Sequence, residues 1–188
     1  MDLLLAYIKN IIPVSDALQN DLALLFSPIQ LKKEEYLAIE GRVEAKLAFI
    51  NSGVLRAFFR GADGKEYNKT FFDDAAFVGT YNSLITGNPN NINIQALTDC
   101  SLLTVDYKQL VDLYDKHPML ERMARIIAET IFVVKEKREI ELVTLDATQR
   151  YQIFKQEHPT LENLIPQYHI ASYLGVSATQ LSRIRGKK

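Results

Sequence analysis

From Ile29 to about Val105 the sequence is cut into short apolar runs by turn residues, and this spacing constrains the fold more than any other feature. The interruptions are Gly41, Asn51-Ser52-Gly53, Asp63-Gly64, Asp73-Asp74 and Gly87-Asn88-Pro89. Runs this brief suit strands rather than helices. Strands recurring roughly every ten residues pack as a sandwich or barrel. The clearest hairpin is VLRAFFRGADGKEYNKTFF. Asp63-Gly64 lies there between alternating, aromatic-rich flanks, and Gly64 can take the positive φ of a tight turn. Cys100 falls in a further strand candidate, CSLLTV, and reads as a small buried apolar residue.

Helical patterns flank this block. Residues 1–26 read as helical, with Ser15 and Asp16 able to cap a second short helix that carries Leu18, Leu22, Leu25 and Phe26 before Pro28 stops it. After Tyr107 a short helix runs to Pro118, and a long one follows from about Met119 to Leu145. On that helix Ile126, Phe132 and Val133 fall on one side, and Ile127, Ile131 and Val134 on the other. The strand block can cover one side; another copy of the chain is the simplest cover for the second. The charged run KEKREIE suits i,i+4 pairing on a solvated helix.

Counts exclude several function classes. With 188 residues, 47% hydrophobic, 24% charged, eight glycines and six prolines, the chain is of folded, soluble type and long enough to bury a core without staples. One cysteine rules out an internal disulfide and a four-cysteine iron–sulfur or zinc site, and makes the cytoplasm the default compartment. His117, His158 and His169 form no metal-binding pair and each reads as a surface or capping histidine. The most apolar run, Ile126 to Val134, is too short for a bilayer and contains Glu129; the N-terminus lacks a basic n-region and a cleavage site. No histidine lies between Ile29 and Val105, against a barrel oxygenase, and no nucleophile triad or P-loop is present. The carboxylate pairs Glu34-Glu35 and Asp73-Asp74 sit in turn-like contexts. An enzyme is not expected.

The C-terminal segment carries the sharpest signal. Residues 1–145 hold sixteen basic and twenty acidic side chains, a net of −4; residues 146–188 hold six and three, a net of +3. Gln149–Glu157 reads as a helix ended by His158-Pro159, and a capped stretch begins near Thr160. Pro166 can then start a helix with Ile170, Ala171 and Leu174 as its apolar stripe, which Gly175 ends in a left-handed conformation. Ser177 can cap a second helix that buries Leu181 and Ile184 and exposes Thr179, Gln180, Ser182, Arg183 and Arg185. Two short helices about a glycine turn, the second polar and basic, make a helix-turn-helix whose second helix enters the major groove. Gln180 can pair with adenine and Arg183 with guanine. Ser177, Ser182, Arg185, Lys187 and Lys188 can hold phosphates, and Gln167 is placed with this set.

At this point the chain resembles the Crp/Fnr family of transcription regulators, in particular the shorter members typical of Bacteroidetes. The resemblance rests on INSGVLRAFF with the ADGKE hairpin, on FVGTYNSL, and on RYQIFKQEHP followed by IPQYHIASYLGVSATQLSRIR. It implies an α+β fold: a cyclic-nucleotide-binding-like β-roll of jelly-roll type with N-terminal helices over 1–118, a long dimerisation helix over 119–145, and a small all-α helix-turn-helix domain over 146–188 whose wing is reduced or absent. Met123, Ile127, Ile131 and Val134 would form the dimer seam. The partners implied are a double-stranded DNA operator, a second copy of the chain and RNA polymerase, without a membrane. The family's phosphate-binding cassette pairs a Gly-Glu with an Arg and a Ser or Thr about ten residues on. Gly79 is kept, but Thr80 replaces the Glu, and Asn90 and Asn91 replace the Arg and Ser/Thr. Without an Arg–phosphate pair, about 1.5–3 kcal/mol is lost, so cyclic AMP is not expected as the ligand. Tyr81, Asn90 and Asn91 either hydrogen-bond some other small effector or are ordinary loop residues. No cofactor is implied, since the chain also lacks evident heme ligands. In the recognition helix Ala178 and Thr179 replace the familiar Arg and Glu, while Arg183 is kept, so base preference does not transfer.

Overall fold

The computed structural model describes residues 1–73 and 75–186. Two helices, α1 (Asp2–Lys9) and α2 (Asp16–Leu25), precede eight strands: β1 (Ser27–Leu31), β2 (Tyr36–Ala38), β3 (Lys46–Ser52), β4 (Leu55–Arg60), β5 (Glu66–Phe72), β6 (Phe77–Val78), β7 (Asn93–Ala96) and β8 (Cys100–Asp106). A short helix α3 (Tyr81–Thr86) interrupts them. Helices α4 (Tyr107–Asp112), α5 (Pro118–Thr144), α6 (Ala147–Glu157), α7 (Leu161–Leu164), α8 (Gln167–Leu174) and α9 (Ala178–Gly186) complete the chain. The strands form two four-stranded sheets, ordered β1-β8-β3-β6 and β2-β7-β4-β5. This is the antiparallel roll with flanking helices expected from the sequence. The strands begin two residues earlier than the turn spacing suggests, because Pro28 sits in β1 at a sheet edge, where its missing N–H is tolerated.

The alternation of side chains explains why β3 and β8 read as nearly unbroken apolar runs. In β3, Ala48 and Ile50 join the cluster between the sheets, with Leu102 and Cys100 of β8 and Ile94 of β7. The intervening residues Phe49, Leu103 and Val105 face the other way, into a second cluster with Leu4, Ile8, Leu18 and Leu22 of the N-terminal helices. Both faces of these strands are therefore largely buried, and Thr104 of β8, a buried polar residue, donates its hydroxyl to Ser27 O. Tyr7, Phe49 and Phe77 meet edge to face in that second cluster, with centroids 5.2–5.6 Å apart.

The chain divides into two compact units, one of Met1–Ala57 with Phe71–Ala128, the other of Phe58–Thr70 with the chain from Glu129 on. Within the first, Leu120 and Met123 of α5 are buried in the helix-side cluster and Ile127 packs against it. Two of the four residues expected at a dimer seam, Met123 and Ile127, are thus engaged inside their own chain. The other two are exposed: Ile131 at 44% and Val134 at 60%, beside Phe132 at 67% and Val133 at 61%. The second unit's core is built from Tyr151, Phe154, Leu161, Ile170, Leu174 and Leu181. The histidines also differ from expectation. His158 is the C-cap of α6, as a capping role requires. His169 is buried, and His117 is largely buried against Asp21.

Candidate functional site

The roll holds a cleft of about 170 Å³. Its aliphatic walls are Ile29 and Leu31 of β1, Leu37 and Ala38 of β2, and Ile94 of β7, and Tyr36 and Thr104 line it too. Glu44 and Lys46, two residues apart at the start of β3, supply one charge of each sign. Gly79 and Thr80 close one side. A Cβ on Gly79 would sit 3.2 Å from a methyl of Leu84 and 3.3 Å from one of Leu47, so its lack of a side chain permits the close entry into α3. Thr80 is the N-cap of that helix, yet its hydroxyl makes no capping bond. The residue is 2% exposed and its Oγ1 is buried without a hydrogen-bond partner.

The remaining cassette positions are occupied elsewhere. Asn90 is buried; its Nδ2 donates to the Ile39 and Arg42 carbonyls at 2.9 and 3.0 Å, and its Oδ1 accepts from the Ile92 N–H at 3.1 Å. Both amide protons are engaged in fixing the 39–42 loop, which removes Asn90 from the set of ligand contacts. Asn91 is exposed. Tyr81 is half exposed, its ring edge-on to Tyr107 at 6.3 Å. Burial, with the Tyr81 hydroxyl adding to it, raises the Tyr107 phenol well above the ordinary range. Of the five cassette positions, only Gly79 and Thr80 line the cleft. Among the described residues no cluster of three metal-ligating side chains occurs.

The C-terminal helix pair turns at Gly175, where φ is +69°. The Val176 N–H donates to Ala171 O at 3.0 Å and the Gly175 N–H to Ser172 O at 3.2 Å, the two bonds of a Schellman turn. Helix α9 starts with a reciprocal cap. The Gln180 N–H donates to Ser177 Oγ at 3.2 Å, and the Ser177 N–H returns to Gln180 Oε1 at 3.0 Å. Gln180 is therefore folded back on Ser177, and its amide oxygen is not presented for pairing with adenine. Arg185 is likewise held, with Nε 3.1 Å from Glu162 Oε1, an oxygen that also accepts from the Tyr151 hydroxyl. Gln167 is half-buried and donates to Glu162 O at 2.8 Å. Thr179, Ser182 and Arg183 are exposed on one helix, as expected. Leu181 is buried and Ile184 half-buried beneath them. Lys187 and Lys188 lie outside the described residues.

Sequence reading missed the residues that hold this helix pair. Within the second unit the Asn68 N–H donates to Ser172 Oγ at 2.9 Å, the Ser172 hydroxyl donates to Glu66 O at 2.7 Å, and Asn68 Nδ2 donates to His169 O at 2.9 Å. Two arginines close the other end of α8. Arg138 donates to Tyr173 O and lies 4.0 Å over the Tyr173 ring; Arg150 Nε donates to Leu174 O at 3.2 Å. Cations suit these carbonyls, which carry the negative end of the helix dipole. No local pattern announces such partners, because each lies far along the chain from the helix it holds.

Residues 28–117 match the family described as the cyclic nucleotide-binding domain. No match was found among curated proteins. Among solved structures the chain is similar to FixK2 from Bradyrhizobium japonicum, with a TM-score of 0.77 at 16% identity over 87% of this chain and 84% of that one. A CooA variant from Carboxydothermus hydrogenoformans gives 0.70 at 18% identity over 95% and 81%. CLP of Xanthomonas campestris, described as a c-di-GMP responsive global regulator, gives 0.68 at 17% identity over 92% and 91%. Residues 28–117 thus resemble a cyclic nucleotide-binding domain, and the chain shares the fold of FixK2 and CooA over most of its length.

Proposed function

We propose that the chain is a homodimeric, DNA-binding transcription regulator of Crp/Fnr type, acting in the cytoplasm without cyclic AMP. The observation that carries this reading is the C-terminal helix pair: a Schellman turn at Gly175, a capped second helix, and Thr179, Ser182 and Arg183 exposed together on it. Such a face suits the major groove, with Arg183 as the guanine reader. The exposed apolar run Ile131–Val134 on α5 supplies a surface for a second copy, which would place two recognition helices on half-sites about 34–36 Å apart. Against cyclic AMP stand Thr80 at the expected Glu position and Asn90, buried and engaged, at the expected Arg position. RNA polymerase is the partner such a regulator would act on.

Selection of genomic DNA fragments on the purified protein tests this, with sedimentation to count copies per fragment. The expected result is a near-palindromic site bound by two copies and lost on Arg183→Ala. A second reading, a sensor that does not bind DNA, is favoured by the engagement of Gln180 and Arg185 within the fold. It predicts weak binding indifferent to sequence and unchanged by Arg183→Ala.

A further inference from the structure

We infer that Gln180 reads a keto base, guanine or thymine, through its amide nitrogen, rather than the adenine its residue type suggests. The reason is the direction in which the N-terminal cap of α9 fixes its amide. The Ser177 N–H donates to Gln180 Oε1 at 3.0 Å, and the Ser177 hydroxyl donates to the same oxygen at 3.2 Å. A backbone N–H can only donate, so the amide atom it meets is the oxygen and the other is Nε2. The Gln180 N–H donates to Ser177 Oγ at 3.2 Å and closes the box from the other side. Both lone pairs of Oε1 are thus used. Nε2 carries two N–H groups, makes no hydrogen bond among the described residues, and belongs to an exposed side chain.

The base edges differ in what they offer such a group. A bidentate pair with adenine needs both halves of the amide: Nε2 donates to N7, and Oε1 accepts from the N6 amino group. With Oε1 held in the cap the second half is missing, and the N6 amino group stays unmatched. Cytosine presents only its N4 amino donor in the major groove, which a second donor cannot meet. Guanine offers O6 and N7, and thymine offers O4; each is an acceptor and suits a group that only donates. Reaching adenine would break both bonds to Oε1 and loosen the start of α9. Reaching a keto base keeps them, with the side chain ordered before DNA arrives. Position favours a base contact as well, since the N-terminal residues of a recognition helix face base edges. Arg183 stands one turn further along the same face of α9. Gln180 is then a specificity-determining residue beside it. This rests on the DNA-binding reading proposed above and adds which base edge the helix accepts.

Selection of genomic DNA fragments, followed by fluorescence anisotropy on single-base variants of the selected site, compares the full chain with Gln180→Ala and Gln180→Glu. Gln180→Ala marks the half-site position that Gln180 reads, as the one whose preference it erases. There the unaltered chain is expected to favour guanine or thymine over adenine and cytosine by about 3–10-fold, and the selected site tells the two keto bases apart. Gln180→Glu keeps an oxygen for the Ser177 cap and turns the outward atom from donor to acceptor. It should invert the preference to cytosine or adenine, whose amino groups donate, whatever its charge does to overall affinity. Circular dichroism of both variants separates a lost preference from a lost helix. The inference is overturned if the unaltered chain favours adenine at that position, if Gln180→Ala erases no preference, or if Gln180→Glu leaves the keto preference in place. Each of those results, obtained with sequence-specific binding, leaves the regulator reading standing. Binding indifferent to sequence in the unaltered chain sinks both.

Discussion

Gly53 and Gly175 both hold positive φ, at +103° and +69°, yet their surroundings differ. A Cβ on Gly175 would meet nothing within 4 Å, so Gly175→Ala should cost only the left-handed backbone penalty, about 1–2 kcal/mol. A Cβ on Gly53 would lie 2.6 Å from Asp99 O and 2.9 Å from Cys100 Cα, backbone contacts that no rotamer can relieve. Gly53→Ala should therefore cost roughly 3 kcal/mol or more. Urea denaturation of both variants checks the ranking; equal losses would mean that the 51–53 turn shifts freely. Both glycines are legible in the sequence as turn residues. The difference between them is not, because it lies in Asp99 and Cys100, distant in sequence and brought up by the pairing of β3 with β8. Asp21 offers a second test at this scale. Its Oδ2 takes hydrogen bonds from His117 at 2.6 Å and Lys116 at 2.7 Å, and these, His117 foremost, hold its carboxyl below the usual range. A lowered carboxylate pKa stabilises the fold above its unfolded value of about 3.9, and that contribution is lost as pH falls through the folded value. Asp21→Asn should thus flatten the acid limb of a plot of Tm against pH. An unchanged limb would show that these bonds do not survive in solution.

Among the elements, α8 is held by polar contacts from β5, α5 and α6. Its stripe of Ile170, Ala171 and Leu174 is readable from periodicity, and so is the glycine that ends it. Its polar contacts are not, because each partner looks local when read in line. Arg138 sits in KEKREIE, which reads as a solvated run. Part of that reading holds, since Lys137 and Glu141 approach at 3.5 Å one turn apart. Lys137 also reaches Glu157 at 2.8 Å, however, and Arg138 is turned onto the last turn of α8. Ser172, likewise, has the look of a polar residue on an outward face. It is the single side chain that accepts from Asn68 N–H and donates to Glu66 O on the same strand. Ser172→Ala removes both bonds at once, a loss of about 1–3 kcal/mol. Amide hydrogen exchange at Asn68 should accelerate in proportion, while the exchange of β3 and β8 amides should not change. Protection retained at Asn68 would mean that another acceptor replaces the serine.

For the molecule as a whole, the fold class is legible because two signals agree: turn residues spaced along the strands, and helical periodicity at both ends. The candidate site is less legible because its chemistry depends on which polar groups are already engaged. Asn90, Gln180 and Arg185 all look available in the sequence, and all three are bonded within the fold. That has a measurable consequence for charge. Over residues 146–188 the excess of basic residues is +3, but Arg185 is paired with Glu162. With Arg183 on a guanine, each copy of the proposed dimer then offers Lys187 and Lys188 to phosphates. A dimer using these neutralises about four phosphates, so log K should fall against log salt with a slope of about −3.6. If Arg185 leaves Glu162 on the duplex, the count rises to about six and the slope to about −5.4. Fluorescence anisotropy on a selected fragment across a salt series separates the two. Glu162→Ala makes the comparison internal, since it frees Arg185 before DNA arrives. A protein at about −3.6 whose variant moves to about −5.4 keeps its pair while bound. A protein already at about −5.4, and unmoved by the substitution, exchanges Glu162 for phosphate on binding, and the 3.1 Å contact would then be a feature of the free state alone.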